Sequence, residues 1–327
     1  MGHWSEGRRE FKRVWTVLTE GTIDGEIVGA LPTTLEIARA ISTLARDFQP
    51  ATAEEFESEL RWVIQAIAVK ANGLAPVLDL LHNVAVDLET AVQRRDGVDG
   101  LKAAVIASAE GFHSRLLAAV ARVATACAER FLDRERVFVY SCSRTVNAAI
   151  IQAKNMGKNI EVVVTESRPW YEGLNTVKAL DAEGIRVTLG IDAAIAVLIS
   201  ECTSVLVGAE SISHTGDVLC KVGTYPLAVL ARERGLPVRI AADCSKFDVT
   251  SPYLQWPNCG PGGPASDLVG TRQFQHATVV NALAEVVPSY LITEIVTERG
   301  VLSPADAARV VKSLPVSISL IKTRVPK

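Results

Sequence analysis

Residues 137–145 read VFVYSCSRT, and this stretch decides how the rest of the chain is interpreted. Four strand-forming residues are followed at once by small polar residues, and a pattern of helical period begins at Val146. In a doubly wound sheet, ligands bind beyond the carboxyl ends of the strands. Cys142 is therefore predicted to lie at a binding edge, next to a helix N-terminus that favours anions and lowers a thiol pKa. Ser143 is predicted to cap that helix. The alternative is a small buried cysteine that only packs.

Working outward from this stretch, apolar runs of strand length alternate with segments of helical period. The predicted strands are Val137–Tyr140, Ile160–Thr165, Ile185–Leu189, Ser204–Ala209 and Val238–Ala242, with Leu291–Thr297 as a further candidate. The predicted helices between them are Val146–Met156, Gly173–Ala182, Ala193–Ser200 and Val222–Arg234. This alternation predicts a mainly parallel sheet with right-handed crossovers. The fold class is α/β, and residues 133–327 are predicted to form a Rossmann-like domain.

Residues 1–132 have helical period instead, and they are predicted to form an N-terminal helical domain without strands. Thr52 and Glu55 are spaced as in a capping box, which predicts a helix start at that point. Leu101–Arg130 is predicted to be one long Ala-rich helix, with a break expected at Gly111.

Composition excludes several classes of protein. A net charge of −3 over 327 residues gives no sign of a surface for nucleic acid or anionic membranes. Neither a signal peptide nor a membrane-spanning run is recognised, and the six cysteines form no CxxC pair. A cytoplasmic protein without a metal site or disulfides is therefore expected. Neither a GxGxxG motif after the first strand nor a Walker loop is present, so a nucleotide cofactor is not expected.

Polar groups follow the carboxyl ends of the predicted strands, and such ends converge on one edge of a parallel sheet. They are Cys142, Arg144, Glu166, Arg168, Asp192, Glu210, Asp243 and Lys246. We predict that these groups line one pocket. Phosphate binding is expected of the cations there, which are Arg144, Arg168, Lys221 and Lys246. Cys142, together with either Glu210 or Asp192, is expected to move protons.

Four motifs in this order resemble one superfamily. They are TESRP at 165–169, GAE at 208–210, KVGTY at 221–225, and VP at 287–288 followed by IVTERG at 295–300. The superfamily comprises the regulatory subunits of translation initiation factor 2B, ribose-1,5-bisphosphate isomerase and methylthioribose-1-phosphate isomerase. The resemblance covers about residues 136–302.

This resemblance implies roles for individual residues. Cys142 matches the catalytic cysteine of the isomerases, and Glu210 occupies the position of the catalytic aspartate in their Gly-Ala-Asp motif, which begins here at Gly208. Arg168 and Lys221 match an arginine and a lysine of the family's substrate-binding motifs. The initiation-factor alpha subunit is similar in having a glutamate at the Glu210 position, but it lacks the cysteine.

The N-terminal part departs from the isomerase pattern. Their Arg-Gly-Ala loop reads Val28-Gly29-Ala30 here, and their Arg-Pro-Thr segment reads Asn72-Gly73-Leu74. In the isomerases both arginines help to hold the substrate phosphate. Their loss makes the two known isomerase substrates less certain for this chain.

The leading hypothesis is an aldose–ketose isomerase that acts on a sugar 1-phosphate, forms a homodimer and needs neither a metal nor a nucleotide cofactor. Cys142 and Glu210 would be catalytic, and Arg144, Arg168, Gly208, Lys221 and Lys246 would bind the substrate. One alternative is a non-catalytic regulatory protein that binds a sugar phosphate or a nucleotide, and another is a scaffold with a degenerate pocket. Cys142 favours catalysis, whereas Glu210 and the missing arginines favour binding alone.

Overall fold

The computed structural model describes residues 29–71, 74–251 and 262–314, together with a few positions between 14 and 27. Among the described residues, 29–118 and 248–251 belong to one compact unit, and 119–247 and 262–313 belong to the other. The domain boundary predicted at residue 132 stays a prediction. Val28, Asn72, Gly73 and Cys259 lie outside the described residues.

Helices α1 (Ala30–Asp47), α2 (Ala53–Lys70) and α3 (Ala75–Gln93) form the first unit with part of α4 (Val98–Arg130). The predicted helix start is confirmed, since the Thr52 hydroxyl accepts a hydrogen bond from Glu55 N at 3.2 Å, although the Glu55 carboxylate accepts from Ala51 N, one residue before the cap. The predicted break at Gly111 is wrong, because α4 is continuous. A single glycine costs a helix interior only about 1 kcal/mol, which the Ala-rich surroundings tolerate. The prediction of no strands in this part is wrong, because it contains two short strands, β1 (Thr22–Ile23) and β2 (Glu26–Ile27), which are too short to show a period in the sequence.

The second unit is built on a seven-stranded sheet, in which all pairs except the last at one edge are parallel. Its strands are β3 (Arg136–Val139), β4 (Glu161–Thr165), β5 (Arg186–Gly190), β6 (Ser204–Gly208), β9 (Val238–Ala241), β11 (Glu294–Thr297) and β12 (Gly300–Leu302). Their spatial order is β12-β11-β9-β6-β3-β4-β5. The α/β prediction is confirmed, and the six predicted strands all occur within three residues of their expected limits.

The four predicted helices of this unit are present as α5 (Arg144–Asn155), α6 (Gly173–Asp181), α7 (Ile195–Leu198, flanked by 3-10 turns) and α8 (Thr224–Glu233). The structure adds α9 (Ser266–Val269) and α10 (Pro304–Ser313). Apolar side chains of α5 pack with those of β3 and β4 in a dry core that includes Ile150, Val137 and Val162. This core fixes where each strand ends, and therefore where the following polar residues lie.

A second sheet was not predicted. It is antiparallel, in the order β10-β8-β7, and its strands are β7 (Ser211–Ile212), β8 (Val218–Lys221) and β10 (Ala284–Val287). Runs of two to four residues are too short to show a period, so the sequence carries little signal for them. The sheet matters for function because β8 ends at Lys221.

A charge network joins strands at the amino-terminal end of the large sheet, opposite the edge that carries the polar motifs. Arg239 on β9 lies 3.0 Å from Glu135 Oε1 through Nη1 and 3.1 Å from Glu294 Oε1 through Nε. Arg130 also pairs with Glu294, and the Ser204 hydroxyl donates to Glu135. Glu135 is only 5% exposed, so its charge depends on these partners.

We expect Arg239→Met to lower the free energy of unfolding by about 3 kcal/mol, because it leaves carboxylates buried without their cation. Arg186→Met is the matched control, since Arg186 pairs with Glu161 but its side chain is 77% exposed. That variant should lose less than about 1 kcal/mol. Urea unfolding measures both variants, and equal losses would show that the network contributes no more than a surface pair.

No helix in the described part of the chain has the length and hydropathy needed to cross a membrane.

Candidate active site

Cys142 lies where the motif predicted, three residues beyond the end of β3. The predicted cap is confirmed, because the Ser143 hydroxyl accepts a hydrogen bond from Val146 N at 3.3 Å at the start of α5. Ser141 has φ +62°, a left-handed conformation that is uncommon outside glycine. The chain therefore turns sharply from strand to helix and leaves the half-buried thiol at the sheet edge.

The surroundings of the Cys142 thiol differ from the prediction in one respect. Burial raises its pKa, and this outweighs the hydrogen bonds from Thr176 and Asn147 and the charge of Arg144, all of which act to lower it. The Asn147 amide nitrogen lies 3.9 Å from Sγ. The predicted lowering of the pKa is therefore wrong: a helix N-terminus favours the thiolate, but desolvation penalises it more. Cys142 is a neutral thiol at pH 7.

We therefore expect alkylation of Cys142 to be slower at pH 7–8 than that of a free cysteine, whose pKa is about 8.5. The rate should rise only as the pH passes that value, because the thiol must first lose its proton. Iodoacetamide labelling followed by peptide mass spectrometry measures this rate, with Cys142→Ser correcting for the other five thiols. Rapid labelling at pH 7 would contradict a neutral thiol.

Glu210 is brought to the same edge by a close contact between neighbouring strands. β6 pairs with β3 and ends at Gly208, where a Cβ would lie 2.6 Å from the Ser143 hydroxyl oxygen. Only glycine allows this approach, so the end of β6 lies directly against Ser143, the residue after Cys142. The backbone N–H of Glu210 donates to Leu219 O at 2.8 Å on β8. Its buried Oε2 has no hydrogen-bond partner among the described residues.

An oxygen that is buried and unpartnered is costly, so it indicates a place where a ligand group binds. The carboxylate of Asp192, the other predicted proton carrier, already has hydrogen-bond partners. It accepts hydrogen bonds from Ser167 N at 2.9 Å and from Arg168 N at 2.7 Å. Asp192 therefore positions the loop after β4, and of the two predicted proton carriers Glu210 is the one with an unpartnered carboxylate oxygen among the described residues.

The predicted cations are held in different ways. The Arg168 guanidinium donates to the Tyr171 hydroxyl and lies 4.8 Å from the centre of that ring, and it forms no ion pair within the described ranges. Arg144 is exposed at the start of α5. Lys246 is only 7% exposed, in a 3-10 turn after β9 that the Asp243 side chain caps. All three follow strands of the large sheet at their carboxyl ends.

Lys221 has a partner that the sequence did not reveal. Its Nζ lies 2.5 Å from Glu172 Oε2 and 4.9 Å from the centre of the Trp170 ring. Burial raises the pKa of Glu172, Lys221 opposes that shift, and the charges of Glu210 and Asp192 add to it. The missed signal was the run Trp170-Tyr171-Glu172, which directly follows the TESRP motif.

The loop after Lys221 is fixed from two sides. Gly223 has φ +102°, and a Cβ there would lie 2.0 Å from the Tyr140 hydroxyl oxygen. Glu285 on β10 accepts hydrogen bonds from Gly223 N at 2.6 Å and from Tyr225 N at 2.8 Å. A carboxylate thus already occupies the N-terminus of α8, so these amides are not free for a substrate anion. Within the part of the chain described, no cluster of side chains suits a metal ion.

Comparison with known proteins agrees with this arrangement. Residues 26–304 match the model of the initiation factor 2 subunit family. A ribose 1,5-bisphosphate isomerase of Haloferax volcanii is 32% identical over 291 residues, which is 88% of this chain and 88% of that protein. A methylthioribose-1-phosphate isomerase of Syntrophotalea carbinolica is 33% identical over 259 residues, covering 74% and 69%.

Among solved structures, translation initiation factor eIF-2B of Pyrococcus horikoshii OT3 superimposes with a TM-score of 0.73 at 26% identity. The match covers 90% of this chain and 97% of that one. The predicted superfamily is thereby confirmed. The relatives include both sugar-phosphate isomerases and an initiation factor, so the choice between catalysis and regulation depends on the site itself.

Proposed function

Because this chain belongs to the initiation factor 2 subunit family, we propose that it is an aldose–ketose isomerase acting on a sugar 1-phosphate. The observation that carries this proposal is the placement of a neutral thiol, Cys142, and an unpartnered buried carboxylate oxygen, on Glu210, at one sheet edge. The isomerisation needs a proton donor and a proton acceptor, and these two residues follow neighbouring parallel strands at their carboxyl ends. Isomerase relatives at 32% and 33% identity support the same reaction class.

The chemistry follows from the substrate. Phosphate on O1 prevents spontaneous ring opening, so the enzyme must protonate the ring oxygen while the bond from C1 to that oxygen breaks. Cys142 is suited to donate this proton, because its raised pKa keeps the thiol protonated at pH 7. A hydride, hydrogen with its electron pair, then moves from C2 to the electron-poor C1 as the O2 hydroxyl gives its proton to Glu210 and the C2–O2 bond becomes a carbonyl. The product is a 2-ketose 1-phosphate, and return of one proton from Glu210 to the thiolate through solvent restores the enzyme.

Substrate binding is proposed for Gly208, Arg144, Arg168, Lys221 and Lys246. Arg168 is available for the phosphate, since its guanidinium carries no carboxylate partner within the described ranges. Gly208 keeps the strand edge open beside Ser143. No metal or nucleotide cofactor enters this proposal.

The test begins with a thermal-shift screen of sugar 1-phosphates, sugar bisphosphates and nucleoside monophosphates, because a ligand of the folded state raises its melting temperature. Each ligand found is then incubated with the protein, and phosphorus and carbon NMR follow the appearance of a 2-ketose phosphate. If ligands bind and none is converted, the chain is a regulatory sensor. That second function is favoured by Glu210 standing where the isomerase motif has aspartate.

We also propose a cytoplasmic homodimer formed through the α/β unit. The segment at residues 286–301 is rich in apolar residues, and within it Tyr290 is 64% exposed and Val301 is 41% exposed. Closed two-fold pairs are the commonest soluble assembly. Light scattering at micromolar concentration should give twice the mass of 35.1 kDa, and a monomer mass would remove this proposal.

A further inference from the structure

The ion pair between Glu172 and Lys221 changes what the cleft can bind. Both side chains are nearly buried, with 14% and 11% exposure, and Nζ and Oε2 are 2.5 Å apart. Neither atom has a hydrogen bond to a further group within the described residues. The pair therefore has free donor and acceptor capacity and almost no net charge.

The ring of Trp170 holds this pair in place. It lies 4.9 Å from Nζ, and its indole N–H donates to Asp267 Oδ2 at 2.8 Å. Asn281 donates to Pro264 O at 2.8 Å and lies 3.4 Å from the same Asp267 oxygen, which fixes the segment on the far side of the ring. The ammonium is thus anchored by an aromatic face as well as by Glu172.

Two further acidic groups act on the pair through Glu172. The charges of Glu210 and Asp192 both raise the pKa of Glu172, as its burial does, so the surroundings of the pair are already acidic. A phosphate dianion placed against Lys221 would also lie against Glu172, and the repulsion between like charges in a nearly dry site is large. A sugar hydroxyl has no such penalty, because it donates to the carboxylate and accepts from the ammonium.

We propose that Glu172 determines substrate specificity by neutralising Lys221, so that this end of the cleft accepts a hydroxyl-bearing sugar carbon and rejects a second phosphate. The substrate class is then a sugar carrying one phosphate, with its non-phosphorylated hydroxyl groups on the Glu172–Lys221 pair. This inference deepens the proposed isomerase function and rests on it. The effect of Glu172 on the charge of Lys221 can be measured separately, through the affinity for phosphate.

The decisive variant is Glu172→Gln, which keeps the shape of the side chain and frees the Lys221 charge. Glu233→Gln is the matched control, since it removes the same charge from an exposed position on α8. The probes for calorimetry are inorganic phosphate, ribose 1-phosphate and ribose 1,5-bisphosphate. Circular dichroism and thermal melting establish that each variant is folded.

We expect Glu172→Gln to bind inorganic phosphate and ribose 1,5-bisphosphate at least about tenfold more tightly than the parent does, with ribose 1-phosphate changing less than about threefold. Adding Lys221→Met to that variant should abolish the gain, and Glu233→Gln should show none. An unchanged phosphate affinity in folded Glu172→Gln overturns the inference. A gain in phosphate affinity that persists when Lys221→Met is added also overturns the inference, because the gain would then not come from the charge of Lys221.

The parent protein gives a second measurement if Glu172→Gln does not fold. It should bind ribose 1-phosphate at least as tightly as ribose 1,5-bisphosphate, and a tenfold preference for the bisphosphate overturns the inference. Absence of turnover with every sugar phosphate would remove the proposed isomerase function, whereas the inorganic phosphate titration decides the role of Glu172 by itself.

Discussion

Cys142→Ser should lower kcat for the converted sugar 1-phosphate by about 10³-fold while leaving its dissociation constant within about threefold. A serine hydroxyl is a far poorer acid than a thiol, so it cannot protonate the ring oxygen as the bond from C1 breaks. The mutation only replaces one sulfur atom with oxygen at a half-buried position, so we expect the variant to fold. NMR gives the turnover, and calorimetry gives the affinity.

The pH profile of the parent adds a second readout for the same residue. The reactive form is the protonated thiol, and burial raises the pKa of Cys142. Activity should therefore persist through pH 7–8 and fall as the pH rises through that raised pKa, because the acid is then lost. Cys202→Ser is the control, since burial also raises the pKa of Cys202, to about 11, at a position before β6. Equal turnover in Cys142→Ser and the parent would show that Cys142 is not the acid.

Glu210→Gln should lower kcat by about 10²–10³-fold with little change in substrate affinity. The amide keeps the size and hydrogen-bonding capacity of the side chain but cannot take the O2 proton. Because Oε2 is buried without a partner within the described ranges, the parent carboxylate is costly to keep, and the variant should be at least as stable as the parent. NMR turnover and thermal melting measure the two effects.

The Glu210→Asp variant keeps the carboxylate but moves it, and therefore tests whether its position matters as well as its presence. Aspartate is the residue that the resemblance to isomerases places here, so this variant should keep more than about a tenth of the parent kcat. Full activity in Glu210→Gln would contradict a proton-transfer role and favour a sensor that only binds. Loss of activity in both variants would still support the role and would show that the longer side chain is needed.

Much of the fold was predictable because its signals are local. The strands of the large sheet are short apolar runs bounded by turn residues, and β3 and β6 lie within one residue of their predicted limits. The Thr52 cap and the Ser143 cap need only a few neighbouring residues to form. The antiparallel sheet that ends at Lys221 was missed because its strands are too short to carry a period.

The sequence by itself determined which chemical groups reach the site. Polar residues after parallel strands must share one sheet edge, so Cys142, Glu210 and Arg168 were predictable as its members. Their properties were decided only by the tertiary structure. The pKa of Cys142 depends on how far packing removes water from the thiol, and helix position alone predicted the wrong direction. The charge that Lys221 presents to a ligand depends on Glu172, which is distant in the chain and contacts Lys221 only in the folded protein. The sequence could not predict this pair, because electrostatic energy depends on separation in space and not along the chain.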